Sequence, residues 1–223
     1  MRGPLPNRNR VIPPDRRGHV TSWIEDPAGG RARGPRGLAR AWVEALVRPR
    51  RLFANGVAPG DQAPALTFAV AVAAAFALGW MVADPSVIPG IVASVPVSAL
   101  VAFLVVVALA APVGLHLTAA VATVSVVVAS VEVRGGLGIR DRGGVSETVQ
   151  VVAYASSPMA LAGPPVPALR IACGAYAAVL LLLGFRTVHG TSWPRTLVAG
   201  VPPALLGYGV GYRVIASART LFA

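Results

Sequence analysis

Between Val97 and Val131 the chain runs through 35 residues of almost unbroken apolar sequence, with Pro112 and Gly114 in the middle. An apolar run of about 18 residues or more reads as a membrane span, because a soluble domain has no core large enough to take it. As one straight helix this run would measure roughly 50 Å, against a hydrocarbon core of about 30 Å. Two solutions exist. Either one kinked helix projects beyond the bilayer, or two short spans turn at Pro112–His116.

The remaining composition agrees with a membrane setting. Hydrophobic residues make up 55% of the 223 and charged ones only 13%, where a soluble domain carries about a quarter. All 20 basic residues are arginine. With the abundance of Ala, Val, Gly and Pro, this is read as codon bias in a GC-rich prokaryotic genome. The net charge of +11 would suit phosphates, but twelve of the arginines fall within the first 51 residues, just ahead of a span. A cytoplasmic tail attracted to anionic lipid accounts for them, and no nucleic-acid partner is expected. A single kinked span over 97–131 leaves 17 arginines inside and 3 outside, whereas two spans give 15 and 5. The positive-inside bias therefore favours one kinked span, with the N-terminus cytoplasmic and the C-terminus outside the cell membrane.

Residues 1–36 are rich in Arg, Pro and Gly and short of anything to bury, so a disordered tail is expected. They hold no signal-peptide core, and the first span serves as its own insertion signal. A GTG-encoded Val20 is an alternative start. Over 37–53, Leu38, Trp42, Ala45 and Leu46 recur on one helical face, with Arg40, Glu44 and Arg48 mostly on the other. This pattern predicts an amphipathic helix on the inner membrane surface, with Trp42, Arg48, Arg50, Arg51 and Phe53 as membrane contacts. A helix that docks on a soluble partner is the competing reading.

The expected fold class is an all-α integral membrane bundle of about five helices within 62–213, with spans near 66–83, 97–131, 147–163, 168–186 and 195–212. Residues 214–223 form a short C-terminal tail. Pro64 opens the first span, Trp80 marks its far interface, and Asp84-Pro85 ends it. The third span opens at Gly143–Pro158, where Ser146 is a candidate N-cap and Glu147 an acid favoured by the helix dipole. Its apolar part is short and stops at Pro158. The irregular backbone beyond it must be covered by protein or reached by water. Arg170 is placed to snorkel outward. Pro202-Pro203 should kink the fifth span, and Gly207 and Gly211 have the spacing of a close helix contact, within one copy or between copies of a homo-oligomer.

Catalytic patterns fail. The apolar cores of the spans carry no acidic residue, and neither HExxH nor GxSxG occurs. Cys173 is the sole cysteine, so thiolate metal binding is not expected and no cofactor is implied. The Gly-rich stretch 133–144 lacks the lysine of a phosphate loop. Polar positions within the apolar blocks are the remaining candidates. His116 is an ionisable residue in a span, and Tyr154, Ser156 and Ser157 could form a polar seam between helices.

Taken together, AWVEALVRPRRLF (41–53), GGVSETVQVVAYASSP (143–158) and LLGFRTVHGTSWPRTL (182–197) resemble the Yip family, the Ypt/Rab-interacting protein domain, over roughly 40–212. The resemblance implies a small multi-pass protein with a polar N-terminal tail and about five spans. It carries no catalytic residues. Eukaryotic members are linked to small GTPases and vesicle traffic, which a prokaryote lacks. The expectation is a non-enzymatic membrane protein that engages the bilayer and a protein partner, with a small-solute or ion transporter built on the proline-broken helices as the alternative.

Overall fold

The computed structural model describes residues 22–25, 31–132, 138–140 and 142–223. Most of the expected 1–36 tail lies outside these residues, as do Val20 and Arg134. Within the tail, β1 (Ser22–Glu25) pairs antiparallel with β2 (Arg31–Arg33). Helix α1 (Gly34–Val47) begins at once, and α2 (Pro49–Asn55) follows after a break at Arg48. Pro49 causes that break, since it cannot continue a helix but starts one well.

Among the described residues three helices are long and apolar enough to cross a membrane: α3 (Ala63–Ala83), a continuous run Val95–Ala129, and α7 (Pro167–His189). The 97–131 stretch is thus one helical run without a hairpin at Pro112. It consists of α4 (Val95–Val105), a wide π turn over Val106–Ala110, and α5 (Ala111–Ala129). Pro112 has no amide hydrogen for the carbonyl of Ala108, and its ring would collide with that carbonyl. The helix absorbs this by slipping register, so the Ala111 amide bonds to Val106 O, five residues back. A second slip follows Pro202-Pro203. There α8 (Trp193–Ala204) continues as a π turn over Leu205–Gly211, with Tyr212 N–H on Gly207 O at 3.2 Å.

Helix α6 (Val145–Ala155) is the centre of the bundle, with every residue from Thr148 to Ala155 buried. A helix enclosed on all sides has no lipid-facing positions, which explains why this segment is less apolar than α3. Gln150 Nε2 donates to Ala58 O at 2.6 Å while its Oε1 accepts from Ala58 N at 3.0 Å, so one amide pins the loop before α3. Ser146 differs from expectation. Gly144 takes the N-cap position, and the Ser146 hydroxyl accepts from Gly60 N at 3.1 Å, tying the loop ahead of α3 to α6.

Beyond α6 the chain forms a 3-10 turn (Ser157–Leu161) and an irregular strand of backbone that passes α3 at a pair of glycines. A Cβ on Gly163 would lie 2.7 Å from Phe76 O, and one on Gly79 would lie 3.3 Å from Gly163 Cα. Arg170 does not snorkel outward. It is 4% exposed, and its Nε and Nη2 donate to Ala162 O at 3.1 Å and Gly163 O at 2.7 Å. The irregular backbone is therefore covered by protein and its Ala162 and Gly163 carbonyls are satisfied, the condition a bilayer would impose on it. The expected C-terminal tail is a further helix, α9 (Val214–Phe222), seated on α7 where Val214 fills the space left by Gly174.

Candidate functional site

The expected surface helix exists, but it docks on the flank of the bundle. Trp42 Nε1 donates to Ser157 O at 2.9 Å, and Tyr176 donates to Leu46 O. Tyr176 lies roughly halfway along α7, so α1 reaches well up the side of the bundle. Phe53 is 2% exposed and sits against Gly184, which removes it from the set of membrane contacts. Glu44 also departs from expectation. It lies on the buried side with Ala41 and Ala45, its Oε1 3.7 Å from Arg51 Nη1 and 3.9 Å from Arg48 Nη1. Arg48 and Arg50 remain exposed, and Trp42 and Arg51 are half-buried.

The four polar span positions do not come together. His116 faces out of the bundle, with Nδ1 2.7 Å from Pro112 O one turn back. Tyr154 is fully buried, edge-on to Phe68 with ring centroids 5.1 Å apart. Ser157 is equally buried and contributes its carbonyl to Trp42. Ser156 alone of the four lines a cavity, and its hydroxyl already donates to Ala153 O at 2.7 Å. Tyr154, Ser156 and Ser157 are thus buried within the bundle, and His116 is not. Among the described residues no cluster of three or more His, Cys, Asp or Glu could hold a metal.

The cavity measures about 720 Å³, within the range of about 300–1,000 Å³ usual for small-molecule sites. Its origin is local. Helix α3 presents Ala69, Ala73 and Ala77 at successive turns, too small to fill the gap toward the opposite helices. Both π turns border it, through Val106 and Ala110 on one side and Leu206 and Gly207 on the other. No charged residue lines it, and the Tyr208 hydroxyl is engaged by Val152 O at 3.3 Å. Val105, Gly114, Leu117 and Val210 are lining residues that are also exposed, so the cavity opens sideways between the helices.

One end of this cavity is aromatic and carries positive charge just outside it. Trp80 and Tyr212 line that end, with Phe76 edge-on to both at 6.0 and 5.1 Å. The guanidinium of Arg170 lies 4.7 Å from the Trp80 ring centroid and that of Arg213 lies 5.1 Å from it. Among the described residues neither arginine has a carboxylate partner within 4.0 Å, and the Arg213 guanidinium makes no hydrogen bond. The sequence puts Trp80, Arg170 and Arg213 at the same end of their spans, but nothing in their spacing says that they meet. The Ala69–Ala73–Ala77 stripe was the readable signal for the cavity, and only together with a facing helix in which a π turn precedes Pro112.

These features define a multi-pass helical membrane protein with a core built around one buried helix and a lateral apolar cavity. The Yip1 domain model matches residues 43–213, and the chain belongs to that family. Comparison with curated proteins and with solved structures gives no match.

Proposed function

We propose that the chain is a non-catalytic protein that binds a partner or organises the membrane, and that it crosses the cell membrane five times with its N-terminus cytoplasmic. The observation that carries this reading is the α1–α2 pair. Its inner face is fixed by Trp42, Leu52 and Phe53, while Arg36, Arg48 and Arg50 are exposed. Held side chains on a fixed backbone make a basic ledge, and long arginine stems let the charges reach the headgroup layer from a flank. The ledge suits a protein partner with an acidic surface. Support for five crossings comes from α6 with its 3-10 extension and α8 with its π extension, each too short alone. The arginine bias of 17 inside against 3 outside supports the orientation. An ion pathway is the weaker reading, because the cavity lining bears no charge.

The test is affinity purification of the tagged full-length protein from native membranes in mild detergent, with mass spectrometry of what accompanies it. A reproducible partner is expected, absent from an unrelated membrane-protein control and lost when Arg36, Arg48 and Arg50 are replaced by glutamate. A solitary protein, or the same partners with and without the charge reversal, overturns the reading.

A further inference from the structure

We propose that the lateral cavity is a binding site for one anionic phospholipid, with an acyl chain inside and the phosphate beside Arg213. Three independent features converge on it. The first is the cavity itself: apolar, of about 720 Å³, and open toward the surface where lipid tails would lie. Each methylene that leaves water for such a space contributes favourably, but inside a bilayer that gain is nearly cancelled, so the cavity alone gives no selectivity. Selectivity has to come from the end of the cavity.

The second feature is the charge there. Arg170 and Arg213 both stack on Trp80, and Trp80 and Tyr212 belong to the cavity wall. Two guanidinium groups drawn to one indole repel each other, and among the described residues no carboxylate offsets them. Arg170 has two of its nitrogens occupied by Ala162 O and Gly163 O. It therefore supplies positive field, while the exposed Arg213 offers its free donors. A phosphodiester beside Arg213 would take charge-assisted hydrogen bonds and relieve the repulsion. Carbonyl groups of the lipid's ester linkages would then lie beside Trp80 and Tyr212, where aromatic residues commonly meet headgroups.

The third feature is the backbone. Arg213 has φ 61°, and it is the only non-glycine residue among those described with positive φ. It stands at the junction between the Leu205–Gly211 π turn and α9. Left-handed backbone is unfavourable for any residue with a Cβ, and glycine would adopt it freely. Here an arginine occupies a glycine position, and the conformation holds its side chain over Trp80 at the cavity's end. Strain retained at such a position accords with a binding role.

The experiment uses the full-length protein purified in detergent and stripped of native lipid, with binding read by native mass spectrometry and by the shift in thermal unfolding. Dioleoyl phosphatidylglycerol should bind with one-to-one stoichiometry and raise the unfolding temperature. Dioleoyl phosphatidylcholine should bind at least about fivefold more weakly, the scale expected of one or two basic side chains acting on net headgroup charge. Inorganic phosphate should give no stabilisation. Arg213→Gly should weaken phosphatidylglycerol binding by about fivefold or more while leaving the lipid-free unfolding temperature unchanged or higher, because it removes the charge and the unfavourable φ together. Ala73→Phe, which fills the cavity, should abolish retention of both lipids. Equal binding of the two lipids by wild type and Arg213→Gly overturns the headgroup site. Stabilisation by inorganic phosphate equal to that by phosphatidylglycerol overturns the role of the cavity, as does undiminished lipid binding by a folded Ala73→Phe protein. If Ala73→Phe does not fold, the Arg213→Gly and phosphate arms decide the matter by themselves.

Discussion

Replacing Arg170 by methionine removes the hydrogen bonds that cover the irregular backbone after α6. The side chain donates to Ala162 O at 3.1 Å and to Gly163 O at 2.7 Å, and it stacks on Phe76 and Trp80 at 5.3 and 4.7 Å. Methionine retains much of the packing volume but donates nothing. Each carbonyl left without a donor costs about 1–3 kcal/mol, and the lost ring contacts add about 0.5–2 kcal/mol. One term opposes them. Arg170 is a buried cation with no carboxylate partner among the described residues, so removing it recovers part of its desolvation cost. The net loss is about 2–4 kcal/mol. At about 2–4 °C per kcal/mol for a chain of this size, the melting temperature should fall by roughly 5–15 °C. Unfolding of the lipid-free protein in detergent, followed by tryptophan fluorescence, measures it. Arg170→Lys should fall between wild type and Arg170→Met, since it keeps the charge but cannot fork to both carbonyls. A loss of less than about 2 °C in Arg170→Met would refute the reasoning, because the two carbonyls would then need no donor.

Gly163→Ala should destabilise the protein by about 1–3 kcal/mol through overpacking, since the new methyl would meet Phe76 O at 2.7 Å and Gly79 Cα at 2.9 Å, both backbone atoms that cannot swing aside. Gly79→Ala, with its closest contact at 3.3 Å, should cost clearly less, and the rank order of the two melting temperatures checks the geometry. Gln150→Leu should release the loop before α3 by deleting both bonds to Ala58, at 2.6 and 3.0 Å. Amide exchange at Ala58 should quicken by about tenfold, for a loss of roughly 1–2 kcal/mol, while exchange within α7 stays unchanged.

Breaks in the chain were the most legible part of this fold. Proline removes a donor wherever it sits, so Pro49 and Pro158 end helices and Pro112 and Pro202-Pro203 disturb them by a purely local rule. What proline does not specify is how a helix repairs itself, and the two π turns follow from tertiary packing that no local pattern contains. Direction was harder to read than position. Arg170 near the end of a span invites an outward reading, but the unpaired carbonyls of Ala162 and Gly163 outcompete water for its donors. Phe53 beside three arginines looks like a membrane anchor until Gly184, 131 positions away, provides the space that admits its ring. The cavity shows the same limit. Ala69, Ala73 and Ala77 line the void together with both π turns, and nothing in their spacing names those partners.

The Val95–Ala129 helix has a consequence for the bilayer around it. It is 35 residues long, and only 6% of an apolar 18-residue stretch within it is buried, so that stretch is left to lipid while Leu115, Ala119, Ala122 and Val126 pack into the bundle. Tilt alone does not reconcile roughly 50 Å with a core of about 30 Å, since transmembrane tilts seldom exceed about 40°. Wherever its apolar ends do not project beyond the bilayer, the surrounding lipid has to stretch to meet it, forming a thickened collar whose cost grows with its perimeter. Two such proteins side by side share one collar and shorten that perimeter. Such a collar would draw copies of this chain together, and toward thicker membrane, by elasticity alone.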